Sequence, residues 1–429
     1  MGHISSVSAF NQYFFTSLGT NIYYWDSSED NVKVLEGTFD PPQWVGGYSY
    51  NKGDIVKPTY GNYSGYIYKC TKGGTSNSSE PTWEKNLSTE ITDGEAKWVG
   101  VGSLELEGQD EDHVSLRAQC IELYKGFIFV ANTEEGGTLY PYRVRWSQWQ
   151  NPRMWHNNDD GSGLSGYIDI DDTEGKILAI KRLGDILYVY KEKSIIAITY
   201  TGGEDTTFSK EVVTTKAGLV SPEAIIELPH FHIFVGYDNV YMFDGNTCTP
   251  IGDPVKDWVY QNIRPDSVDK IFGYYNEDSG DVTFSFYSVD NANIQDNCDK
   301  AIIYNVSQRV WSIRKMYLTA IGQCNINSDK IIDNVNTPYN EMGSYIIDSA
   351  LYLKEKIATV GGDEYGNLYF LEGYIDSRND YEGYVITKTH HMDAPDRIKR
   401  LLRIQFHIET QGDYNLYCQV GTGWNAETS

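Results

Sequence analysis

Apolar and aromatic positions along most of the chain fall in short runs closed off by Gly, Asn, Asp or Ser, the rhythm of strands and tight turns rather than of helices. Gln12-Tyr13-Phe14-Phe15 leads through a turn to Asn21-Ile22-Tyr23-Tyr24-Trp25-Asp26, and His232-Ile233-Phe234-Val235 leads to Asp238-Asn239-Val240-Tyr241-Met242-Phe243-Asp244. Asp185-Ile186-Leu187-Tyr188-Val189-Tyr190 followed by Ser194-Ile195-Ile196-Ala197-Ile198 repeats the plan, with half-copies at Gly126–Val130 and Gly366–Phe370. Residues 271–313 spell a four-stranded meander in order. Radial repetition of such units lets a long chain bury one face of every hairpin without long open edges, so the pattern predicts an all-β fold, a β-propeller of about six blades.

Blade-sized segments are read at 1–40, 115–155, 164–215, 220–251, 271–313 and 317–371, the last interrupted by a polar loop from Asn325 to Met342. In domain terms, 1–42 is the first blade, 103–380 the remaining blades, and 381–429 a set of strands that closes the ring or contacts a neighbour. Those strands are Tyr384–Thr389, Leu401–Ile408 and Tyr414–Val420.

Residues 43–102 break the rhythm and predict a small inserted β-module of three strands. So small a unit has little core, and packed aromatics must hold it. Tyr50…Gly53-Asp54…Val56, Tyr66…Tyr68, Pro81…Trp83 and Ala96-Lys97-Trp98 resemble the chitin-binding-like modules of carbohydrate-binding families 5 and 12, which also decorate phage tail proteins. The resemblance implies a glycan or an assembly contact at Trp44, Tyr50, Tyr68, Trp83 and Trp98. In sugar-binding members a second Trp follows the last of these, where this chain has Val99.

Charge narrows the partners. With 35 Lys and Arg against 60 Asp and Glu the formal charge is −25, which excludes non-specific binding to phosphate backbones, since that rests on cations displacing counterions. The six cysteines form neither a disulfide framework nor a zinc pattern and read as buried thiols. No apolar stretch is long enough for a membrane span and the start is unlike a signal peptide, so assembly in the host cytoplasm is expected.

The catalytic signatures of the nucleophile elbow, the zinc protease helix and the phosphate loop are missing, as are the repeated boxes of propeller sialidases. No enzyme, cofactor or metal is expected. His230 and His232 read as sheet residues, His390-His391 as part of a polar stretch, and Asp169-Ile170-Asp171-Asp172 with Glu174 as a solvated turn rather than a Ca²⁺ site.

Arg143-Val144-Arg145-Trp146-Ser147…Asn151-Pro152…Met154-Trp155, then Gly218-Leu219-Val220-Ser221-Pro222-Glu223-Ala224 and Val240–Gly245, resemble the propeller nozzle, or tail-hub, proteins of short-tailed phages. Ile303-Tyr304-Asn305…Arg309-Val310-Trp311-Ser312, and Thr387-Lys388 ahead of Ile398-Lys399-Arg400, fit the same family. The resemblance implies a virion tail protein whose copies form a ring, meet a tail adaptor, and retain packaged DNA that later passes through the lumen without specific binding. An acidic wall would suit that passage, because it repels phosphates. The alternative is a glycan-binding adhesin or receptor-binding tail component acting through the insert.

Overall fold

The computed structural model describes residues 4–371, except 18, 29–30, 63, 104–114, 156–162, 203–206, 278, 291–297, 328–354 and 364, together with 403, 405, 417 and 418. Two compact units divide the chain, Met1–Leu371 and Glu372–Ser429. The strand expected at 384–389 and most of those at 401–408 and 414–420 lie outside the described residues, as do 328–342 of the polar loop and the His390-His391 pair.

Within the first unit the chain is all-β, a succession of small antiparallel meanders. The first sheet pairs Ile4–Ala9, Gln12–Ser17, Tyr23–Asp26 and Lys33–Val34 in order. Leu116–Tyr124, Phe127–Glu135, Thr138–Trp146 and Gly166–Asp169 make the second; Ile177–Leu183, Ile186–Lys191, Ile195–Tyr200 and Phe208–Thr214 the third. Ile225–Glu227, His232–Val235, Val240–Phe243 and Cys248–Pro250 form the fourth, and Phe272–Asn276, Asp281–Phe286, Cys298–Asn305 and Val310–Leu318 the fifth. Ala320–Asn327, Glu355–Gly362 and Leu368–Phe370 form a three-stranded sixth.

One boundary differs from the sequence reading. Gly166–Asp169 pairs with Arg143–Trp146 and so ends the second sheet, where the expected blade 164–215 would have opened the third. Arg143 holds it there, donating Nε and Nη2 to the Asp169 carboxylate at 2.8 and 2.9 Å.

The central strands explain why the runs are continuously apolar instead of alternating. A strand buried on both faces needs hydrophobic side chains at every position. Along Phe127–Ala131 the side chains of Ile128 and Val130 pack with Phe14, Ile22 and Tyr24 of the first sheet, while Phe127, Phe129 and Ala131 pack with Leu187, Val189 and Ile196 of the third. The third sheet repeats the division: Leu187 and Val189 face the second sheet, and Tyr188 and Tyr190 join Phe234 and Phe243 of the fourth. Consecutive sheets thus stack face to face through shared cores. Outer strands lose this burial, and Val310–Leu318 is mostly exposed or half-exposed.

A short helix, Lys256–Asn262, and a 3₁₀ turn, Pro265–Lys270, join the fourth and fifth sheets. The insert holds a four-stranded sheet ordered Ile55–Val56, Tyr66–Lys72, Ala96–Ser103, Glu90–Asp93, and a two-stranded pair of Ser49–Tyr50 with Gly74–Thr75. The expectation of three strands is corrected; its two-residue strands are too short to carry a period-two pattern. Ala96–Ser103 returns the chain past the first sheet. A Cβ on Gly102 would stand 2.9 Å from Gly37 N and 3.0 Å from Arg153 O, so only glycine lets these backbones pass.

Candidate functional site

The five aromatics of the insert converge on one another. Trp44, Tyr50, Tyr68, Trp83 and Trp98 are all buried, with Tyr68 and Trp98 fully enclosed. Tyr50 and Trp83 meet Trp98 edge-on at centroid distances of 4.8 and 6.0 Å, and Tyr68 lies 4.4 Å from Trp83. Asp93, itself fully buried, accepts the indole N–H groups of Trp44 at 2.8 Å and Trp98 at 3.0 Å, and the Asn77 amide at 2.9 Å. Burial pushes the Tyr68 hydroxyl up to about 12. These rings belong to the buried core of the module.

The Asp169–Glu174 turn is held by cations of the protein itself. Lys191, whose side chain is fully buried, donates its ammonium to Ile170 O at 2.7 Å and Thr173 O at 2.5 Å. Lys210 bonds Asp169 O and pairs with Asp172, and Lys193 pairs with Glu174. Burial lowers the Lys191 pKa from its ordinary value. Among the described residues no group of three or more His, Cys, Asp or Glu could hold a metal ion.

Beside that turn lies a buried ionic cluster. Glu135 receives Arg145 Nε and Nη2 at 3.0 and 3.1 Å and Arg143 Nη1 at 3.0 Å, with Thr133 Oγ1 also donating at 3.0 Å. The Arg143 guanidinium lies 4.0 Å from the ring centres of both Tyr140 and Tyr167. Its pKa is raised, because Asp169 and Glu135 more than offset desolvation. The sequence showed the two arginines but not their partner, since one Glu closing an apolar strand carries no local signal; its only cue is the Arg-x-Arg spacing, which puts both cations on one face of a strand.

His232 is fully buried and structural: Nδ1 lies 2.7 Å from Tyr190 Oη and Nε2 3.1 Å from Arg182 O. His230 is exposed. Among the cysteines, Cys70, Cys120 and Cys298 are buried and Cys248 half-buried, but Cys418 is exposed, against the expectation of a buried thiol.

The first strands of the six sheets line one cavity of about 330 Å³. Ser5 and Ser6, Cys120, Ala179 and Lys181, Ile225, Phe272, and Ala320 and Ile321 represent sheets one to six in order. At its wall Lys181 bonds Glu227 at 2.6 Å. Burial, reinforced by the Glu227 charge, pushes the nearby Glu122 carboxyl up to about 7. Burial also pushes the Cys120 thiol up to about 12, leaving it an unreactive thiol.

The remaining residues of the nozzle-like stretches perform structural work. Trp146 Nε1 donates to Leu164 O at 2.6 Å, Ser147 Oγ accepts the Ile128 amide at 3.1 Å, and Ser221 Oγ donates to Asp269 O at 2.7 Å. Asp244 accepts the amides of Asn246 and Thr247, and Trp311 Nε1 bonds Ile251 O at 2.9 Å.

Fold and site together define an all-β protein of small antiparallel meanders, with Arg143, Arg145, Lys191 and Lys210 bonded to groups of the protein itself. No family model matches the chain, and no curated protein does. Among solved structures, the computationally designed Ika8 protein is similar at 9% identity over 86% of this chain and 96% of that one, with a TM-score of 0.32. Hsv2 of Kluyveromyces lactis is similar at 11% identity over 73% and 85%, with a TM-score of 0.27. Its form with loop 6CD replaced by a Gly-Ser linker shows 8% identity over 71% and 94%, with a TM-score of 0.25.

Proposed function

We propose that the six sheets are the blades of a propeller and that the protein is a virion structural component, a tail nozzle of a short-tailed phage whose copies form a ring around the tail axis. The observation that supports it most is the cavity lined by the first strand of each of the six successive sheets, the arrangement expected when small antiparallel sheets repeat radially. The nozzle-like residues bind strand to strand and sheet to sheet, which suits a rigid wall. A cavity of about 330 Å³ has the size of a small-molecule pocket, so the DNA conduit in this reading lies between copies and not through one of them.

Partners follow from the same reading: further copies of the chain, a tail adaptor, and packaged DNA that slides without specific binding. A closed ring requires heterologous, head-to-tail contacts. Native mass spectrometry of the purified chain at high concentration, alone and with its tail adaptor, should show one discrete multiple of the monomer mass. Monomers at every concentration and no adaptor complex would count against the nozzle. The second reading, an adhesin acting through the five aromatics of the insert, lacks support from their burial.

A further inference from the structure

A second cavity, of about 410 Å³, lies where the insert meets the first sheet. Gln12, Tyr24, Asp26, Lys33 and Glu36 come from the first sheet and the chain just after it, Lys69, Leu87, Gly100 and Val101 from the insert, and Arg153 from the turn after the second sheet's third strand. Three of these are cations and two are carboxylates, a positive balance on a chain of formal charge −25. Both carboxylates are already engaged. Glu36, buried, accepts Tyr24 Oη at 3.1 Å on one oxygen and Arg153 Nε at 3.0 Å on the other. Asp26 accepts Ser28 N at 2.9 Å, Ser28 Oγ at 2.7 Å and Gln12 Nε2 at 3.2 Å.

Arg153 is thereby fixed. Its guanidinium lies 5.0 Å from the Tyr24 ring centre, and Glu36 with Tyr24 raises its pKa over the opposing effect of burial. Its side chain nevertheless stays 27% exposed, so the group remains open to a ligand. Cations outnumber carboxylates three to two in this cleft, which leaves a positive balance for an anion, and the fixed placement of Arg153 lowers the entropy cost of using it. The cavity is larger than a simple inorganic anion needs, and it falls in the range of small organic ligand pockets. Leu87, Gly100 and Val101 supply an apolar wall suited to the C–H face of a pyranose, and Gln12 and Asp26 supply polar atoms for hydroxyls.

We infer that this cleft binds a sugar bearing a carboxylate, as in an acidic polysaccharide. The carboxylate pairs with Arg153 and Lys69, and the ring lies against the insert. The site is independent of ring assembly and uses none of the five buried aromatics.

Calorimetric titration of the full chain with a galacturonate dimer or trimer, a neutral cellulose dimer, and sulfate tests it. Saturable binding of the acidic sugar is expected, weakened at least tenfold by Lys69→Gln and by raising the salt, with the neutral sugar and sulfate at least tenfold weaker. Gln12→Ala should weaken the acidic sugar several-fold while leaving any sulfate binding unchanged. Failure of the acidic sugar to bind the wild-type chain at millimolar concentration would overturn the inference. So would equal binding of sulfate, or unchanged binding by a Lys69→Gln protein that melts like wild type.

Discussion

Glu135 is buried and accepts hydrogen bonds from two guanidinium groups. Removing one partner of a buried ion pair leaves the other charge uncompensated, which costs roughly 3–5 kcal/mol. Glu135→Ala should therefore lower stability by about that amount in denaturant unfolding, whereas Glu134→Ala, paired with Arg117 near the surface, should change it by about 1 kcal/mol or less. The Asp residues that close strands behave differently. Asp26, Asp244 and Asp363 each accept backbone amides from the turn that follows; these bonds hold the Asp26 and Asp244 carboxyls below the ordinary aspartate value, and the Asn367 side-chain amide, with those backbone bonds, does so for Asp363. The Asp residues that close apolar runs along the sequence are thus turn chemistry, and they were legible because an Asx turn is local.

Glu122 carries the opposite sign. Its folded-state pKa of about 7 lies above the ordinary 4.5, so the native state binds the proton more tightly than the unfolded chain. The stabilisation is complete below the unfolded value and is lost as pH rises through 7. Glu122→Gln should melt close to wild type at pH 5 and be more stable at pH 8, by roughly 1–3 kcal/mol. Differential scanning calorimetry at the two pH values decides it; a gap that does not widen with pH would remove Glu122 as a strained acid. Nothing local in Cys120-Ile121-Glu122-Leu123 announced this, because the effect comes from burial under neighbouring sheets, reinforced by the Glu227 charge from a strand distant in sequence.

At the scale of elements, Asp93 ties the insert together by accepting two indoles and an amide. Asp93→Ala strands two buried N–H donors, each costing about 1–3 kcal/mol. Hydrogen exchange should rise across 43–102 while the central strands of the second and third sheets keep their protection; an unchanged insert would refute the role given to Asp93. Gly102→Ala should shift or loosen the same module, since the added methyl meets two backbones. Strand positions were largely readable, since a central strand with two cores needs an unbroken apolar run. Pairing was less so: Gly166-Tyr167-Ile168-Asp169 looks like a first strand, and its pairing with Arg143–Trp146, reinforced by the Arg143–Asp169 ion pair, is a contact that nothing local in the sequence announces. The helix Lys256–Asn262 was invisible for a related reason. It is short, has no side-chain cap, and is held by Val259 and Ile263 packing into the core shared by the third to fifth sheets, so tertiary burial outweighs weak propensity.

For the first unit as a whole, the first strands of six sheets around one cavity and the internal bonding of Arg143, Arg145, Lys191 and Lys210 are the observations on which the nozzle proposal rests. In the nozzle reading the formal charge of −25 becomes a property of the ring: carboxylates on the channel wall repel phosphates and keep DNA from adhering. Among the described residues no helix is long and apolar enough to cross a membrane. Single-particle electron microscopy of the chain assembled with its tail adaptor tests the central claim most directly. The account predicts a closed ring of propeller-shaped copies around an acidic channel wide enough for a DNA duplex; an isolated monomer, or a ring whose channel wall is basic, would contradict it.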